Sequence, residues 1–197
     1  ADVRKPIERD KLPATQLYLN RRIAPLILRR TKDQVATELP GKTTLIHRID
    51  LTDNQSALYE SVRAAMDDRV RHAIAEKGLA KSHIIVLDAL LKLRQICCHP
   101  QLLGTDAARQ AGPSAKLDHL TGELLPTLIE EGRRILLFSQ FTTMLDLIAA
   151  HLESEKIPFL KLTGQTKDRA SLVGKFQTGE IPIFLISLKA GGTGLNL

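Results

Sequence analysis

"RILLFSQFTTMLDLIAAHLESEKIPFLKL", residues 134–162, changes its hydrophobic period twice within a short span. Residues 135–138 are an unbroken apolar run, the pattern of a buried strand. From Thr142 or Thr143, either of which can cap a helix, Leu145, Ile148 and Leu152 recur at helical spacing. Residues 158–162, "PFLKL", return to a strand pattern.

The same alternation extends in both directions. Downstream, Thr166 opens a helix carrying Leu172, Val173 and Phe176, and Gly179 stops it. "IPIFLISL", residues 181–188, is the third strand. Upstream, Ser114 caps a helix with Leu117, Leu120, Leu124 and Leu128, kinked by Pro126 and ended by Gly132. Strands alternating with helices across short links define an α/β fold: a parallel sheet flanked by helices, joined by right-handed crossovers. Near-continuous apolar strands imply cover on both faces. Functional groups in such sheets gather at the strands' carboxyl ends. Here those ends are Ser139 and Gln140, Thr163 to Gln165, and residues 187–194.

The first half is organised differently. Thr52 and Gln55 form a capping box ahead of Leu58, Val62, Met66, Val70 and Ile74. A second long helix runs from Ser82 through Ile85, Leu87, Leu91 and Ile96 until Pro100 ends it. Residues 43–51 form one strand candidate, and residues 102–116 are the seam between the halves. Three regions follow: 1–51, a segment with one strand; 52–113, a helical protrusion; and 114–197, the α/β lobe.

At 43% hydrophobic and 25% charged the chain reads as soluble and globular, without an apolar run of the ~20 residues a membrane helix needs. Cys97 and Cys98 are adjacent and cannot staple a loop, which fits a reducing, intracellular compartment. The net charge of +6 lies wholly in residues 1–113. It suits a polyanionic partner or a solvated helical surface equally well.

Two motifs invite readings that their context refuses. "ATELPGKT", residues 36–43, approaches a P-loop, yet Pro40 has no N–H to offer and "TTLIHRIDL" after it is strand-like rather than helical. "CCHP", residues 97–100, could begin a zinc site but has no second cysteine pair; helix-end packing accounts for it. The glycine-rich "KAGGTG", residues 189–194, can bring backbone N–H groups close to a phosphate, with Lys189 and Thr193 beside it. A plain tight turn would look the same. No Gly-x-Ser-x-Gly elbow, HExxH pair or acidic magnesium box is present in the sequence.

Several stretches together resemble the Swi/Snf-type DNA-dependent ATPases of helicase superfamily two. "LILRRTKDQVATELPGKT" resembles the family's Leu-Arg-Arg-Thr-Lys signature, and "LRQICCHPQLL" its Leu-Arg-x-x-Cys-x-His-Pro segment. "SAKLDHL" is similar to the Ser-x-Lys that opens the second motor lobe. "ILLFSQF" resembles motif IV, "LTGQTKDRASLVGKF" the segment after it, and "FLISLKAGGTGLNL" motif V. The resemblance implies two RecA-like lobes with ATP and Mg2+ between them and double-stranded DNA across both. This sequence would supply the interlobe linker, the helical protrusion and an incomplete C-terminal lobe of P-loop NTPase type, ending after motif V. The N-terminal lobe would bring the P-loop and metal site, so this segment alone would be inactive.

By the same resemblance Ser139, Gln140, Lys189, Ala190 and Gly191 would contact the DNA backbone. Gly192, Thr193, Gly194 and Asn196 would line the ATP cleft, and Arg29, Arg30 and Lys32 would serve the linker. The implied activity is ATP-driven translocation along duplex DNA, with a protein–DNA complex as a possible target. The implied location is the bacterial cytoplasm or nucleoid, or the eukaryotic nucleus. The alternatives are a DNA-binding or regulatory module without a motor, and a self-contained nucleotide-binding α/β protein.

Overall fold

A computed structural model describes residues 3–28, 30, 41–192 and 195. Arg29, Lys32, Thr193, Gly194, Asn196 and most of the P-loop-like stretch lie outside the described residues. The chain divides into two units, Ala1–Ile46 and His47–Leu197.

In the first unit, helix α1 spans Arg4–Glu8 and α2 spans Pro13–Ile23. Pro13 stands in the first turn of α2, where its missing N–H costs nothing. In its last turns the Arg22 guanidinium donates to Tyr18 Oη at 2.8 Å. The strand expected over residues 43–51 is not formed: residues 41–52 carry neither helix nor strand. Leu45 and Ile46 are 77% and 80% exposed. β-branched residues favour a strand only where a neighbour completes the ladder, and no described strand pairs with these.

The second unit begins with a helical hairpin, α3 (Asp53–Lys77) and α4 (Leu79–Cys98), reversed at Gly78 with φ +75°. Thr52 Oγ1 accepts the Gln55 N–H, forming half of the expected capping box. The other half is absent because the Gln55 side chain turns into the core. Helix α4 starts ahead of Ser82, whose hydroxyl donates to the carbonyls of Ala73 and Gly78 at 2.9 Å. Ser82 therefore clamps the hairpin from inside instead of capping it.

After a 3-10 turn at Pro100–Leu103 come α5 (Asp106–Gln110) and α6 (Ala115–His119), the latter capped by Ser114 as expected. A π turn, Leu120–Leu124, separates α6 from α7 (Leu125–Glu130). Pro126 explains it: a proline cannot donate to the carbonyl four residues back and crowds it, so the helix takes in an extra residue.

The strands are β1 (Ile135–Ser139), β2 (Phe159–Leu162) and β3 (Ile183–Ser187), separated by α8 (Thr142–Ser154) and α9 (Arg169–Gln177). All pairings are parallel, in the order β1-β3-β2. Central β3 is buried throughout. Its Ile183 and Leu185 pack with Leu145, Ile148 and Leu152 of α8; Phe184 and Ile186 pack on the other face with Leu160, Leu162 and Phe176. The period of two in β3 thus divides its side chains between two cores.

Three details differ from expectation. Helix α8 has Phe141 at its N-cap with no side-chain bond, so neither Thr142 nor Thr143 caps it. Helix α9 is capped by Asp168, whose Oδ1 accepts the Ser171 N–H at 3.0 Å, while Thr166 Oγ1 accepts the Thr163 N–H in the preceding turn. Cover on both faces holds for β3 but not for β1, where Leu136 and Phe138 are 39% and 47% exposed.

Candidate functional site at the strand ends

Register makes the site. Ser139 of β1 lies level with Ser187 of β3, and Leu162 of β2 pairs with Ile186, so Thr163 follows at the same height. Three carboxyl ends therefore open together into a polar cleft of about 430 Å³. Gln140, Thr142 and Asp146 line it from the end of β1 and α8, Lys161, Thr163, Gly164 and Gln165 from β2, and Ser187 and Lys189 from β3.

Of the residues expected at a site, Gln140 and Lys189 are brought together here. Ser139 is on the far side of the β1 end, lining a second, mainly apolar cleft of about 480 Å³ with Ile49, Leu120, Phe138 and Leu188. Its hydroxyl is engaged locally, accepting the Phe141 N–H at 3.1 Å and donating to the Phe141 carbonyl at 3.0 Å. Gln140 borders both clefts, and Arg94 of α4 donates to its Oε1.

Beyond Ser187 the chain does not form an open glycine loop in its described part. It enters a short helix, α10 (Leu188–Gly191), with Ser187 Oγ accepting the Ala190 N–H and the Leu188 carbonyl accepting the Gly192 N–H. The Ala190 and Gly192 N–H groups are therefore consumed by the turn. The Ala190 side chain is buried in the β2–β3 core. Gly191 is there for close approach, since a Cβ would stand 3.1 Å from both Ile186 Cγ2 and Phe138 Cε1. Gly192 has φ −72°, and a Cβ there would meet only ordinary contacts, the nearest the Leu188 carbonyl oxygen at 3.4 Å.

Sequence reading missed the pairing of Lys161 with Asp146, which spans the cleft floor from β2 to α8. Its signal was present: in "FLKL" the lysine alternates with two core leucines and must face away from them. The cleft's donors suit phosphate oxygens. Of its lining residues only Asp146 carries a carboxylate, and Lys161 already engages it. This donor set does not fit a magnesium ion.

The cysteine–histidine segment behind the cleft is structural. His99 is buried, and its Nδ1 accepts the Gln101 N–H at 3.2 Å, capping the turn after α4. Burial pushes its basicity down, partly opposed by Asp118, and burial likewise pushes the Cys97 thiol up against the pull of Lys116. Along the hairpin, Arg63, Arg71 and Lys92 pair with Glu60, Asp67 and Asp88 at 2.7–2.9 Å. The hairpin's charge is thus that of a solvated helical surface. No described helix is long and apolar enough to cross a membrane.

A parallel sheet between helices, with a polar cleft at level strand ends, is an open α/β architecture that binds its ligand at the strand ends. Two family descriptions divide the chain: the SNF2-related domain matches residues 3–102, and the helicase conserved C-terminal domain matches residues 115–197. The chain belongs to the SNF2-related family. YwqA of Bacillus subtilis is 36% identical over 98% of this chain, which spans 21% of that relative. The chromatin structure-remodeling complex subunit snf21 of Schizosaccharomyces pombe is 32% identical over 91% of this chain, here 16% of the relative. Among solved structures, the Sulfolobus solfataricus SWI2/SNF2 ATPase core domain superposes with a TM-score of 0.63 at 31% identity, covering 96% of this chain and 39% of its own. The same core in complex with double-stranded DNA gives 0.61 at 27% identity, covering 91% of this chain and 38% of its own.

Proposed function

We propose that this chain is the linker, helical protrusion and C-terminal-lobe part of an ATP-dependent translocase on double-stranded DNA, working inside the cell. The observation carrying this reading is the level meeting of three strand ends, where uncharged donors and Lys189 line one polar cleft. Such groups hold a phosphodiester backbone without reading bases, as a protein that moves along DNA requires. Lys189 supplies the charge and Gln140 supplies position, while Ala190 and Gly191 seat the turn that carries Lys189. The nucleotide side of the cleft is assigned to Gly192, Thr193, Gly194 and Asn196 on the motif resemblance alone. ATP and magnesium are held chiefly by the N-terminal lobe, where the metal offsets phosphate charge, and this chain contributes the opposite wall. Phosphoryl transfer depends on positioning and charge neutralisation, so one wall alone turns over almost nothing.

The runner-up, a DNA-binding module resting on the basic first half, predicts salt-sensitive duplex binding by residues 1–113 alone. In the protein containing both lobes, Lys189→Ala lowers the salt slope of duplex binding by about 1 and weakens binding on all sequences alike. An unchanged slope, measured by fluorescence anisotropy against salt, counts against the assignment. Gly192→Asp abolishes DNA-stimulated ATP turnover while leaving the fold intact, because its Cβ meets no atom closer than 3.4 Å. Normal turnover in that folded variant would remove Gly192 from the cleft.

A further inference from the structure

Gln55 is fully buried although it stands in the first turn of its helix, between the exposed Asn54 and Ser56. A buried amide is retained only where its polar atoms find partners. Its Nε2 donates to the Ile96 carbonyl near the end of α4 at 2.6 Å, and its Oε1 accepts the Ala115 N–H at the start of α6 at 3.3 Å. Beside it, buried Ser114 donates through Oγ to the Cys98 carbonyl at 2.7 Å and accepts the Leu117 N–H. Helix ends leave carbonyl and N–H groups without intrahelical partners. Here two side chains satisfy end groups of two helices, α4 and α6, at one point.

That point bridges the two matched regions. Gln55, Ile96 and Cys98 lie within 3–102, while Ala115 and Leu117 lie within 115–197. Two residues before Ile96, Arg94 donates to Gln140 at the edge of the polar cleft. We propose that Gln55 is a positioning residue. By locking the end of α4 to the start of α6, it makes the hairpin and the sheet-bearing lobe turn together. Arg94 then ties the hairpin's position to the cleft through Gln140. What is transmitted rests on the translocase reading above; the lock itself does not.

The test uses the full-length protein. Gln55→Met keeps the volume and removes both bonds. It should speed deuterium exchange at the Ala115 amide by about tenfold, the loss of one hydrogen bond. DNA-stimulated ATP turnover should stay within about twofold, while triplex-strand displacement per ATP falls about fivefold or more, a coupling loss of the usual size. Arg94→Ala should reduce displacement similarly and add little on top of Gln55→Met, since both act through one path. Unchanged displacement per ATP, or additive losses, would overturn the proposal. If Gln55→Met does not fold, Ser114→Ala removes the Cys98 and Leu117 bonds at the same junction and must still lower displacement per ATP; no loss overturns it. A parent protein without DNA-stimulated turnover sinks the translocase reading instead, and Ala115 exchange still judges the lock: unchanged exchange in Gln55→Met overturns it.

Discussion

Gly191 and Gly192 are neighbours with different physical reasons for lacking a side chain. A Cβ on Gly191 would press on Ile186, which is fully buried, and on Phe138; one on Gly192 would meet only ordinary contacts. Gly191→Ala is therefore expected to cost about 1 kcal/mol by overpacking, against no measurable loss for Gly192→Ala. Urea unfolding of the two variants checks this, and equal stabilities would contradict it. His99 gives a pH prediction. Burial depresses its folded-state basicity, whereas the unfolded ring titrates near pH ~6.5. Below about pH 6.5 the unfolded chain binds a proton that the folded one resists, so the contribution to stability is intact above that pH and is lost as pH falls. The urea midpoint should drop between about pH 7 and 5, and drop less in His99→Asn. Lys189 and Gln140 were legible in the sequence because they follow apolar strands. That Gln140 reaches the polar cleft while Ser139 lines only the apolar one was not, because it depends on which way the chain leaves β1.

At the scale of elements, periodicity found all three strands, because each is a short apolar run bounded by turns. Caps were harder. Thr142, Thr143 and Thr166 all have the chemistry of a cap, yet Asp168 caps α9, since the turn at residues 163–166 uses the Thr166 hydroxyl first. Asp168→Ala should cost about 1 kcal/mol, while Thr142→Ala should cost little. Thermal unfolding decides, and the reverse order would refute the assignment. Residues 43–51 read as a strand because β-branched alternation looks the same whether or not a partner strand exists. The capping box failed in its second half for a tertiary reason: Gln55 makes better bonds with groups 41 and 60 residues away than with its own turn.

At the scale of the whole molecule, parallel order and strand level turn separate loops into one cleft, and the sequence carried the loops but not their meeting. Strand order β1-β3-β2 puts Lys189 and Ser187 between the Gln140 and Thr163 ends. The resulting surface holds donors for phosphate oxygens and no carboxylate left over for a metal. The central claim is that this surface is one wall of a two-walled site. Equilibrium dialysis of ATP against residues 1–197, beside the protein with both lobes, tests it most directly. The account predicts binding by the two-lobed protein alone; micromolar binding by the isolated chain would contradict it.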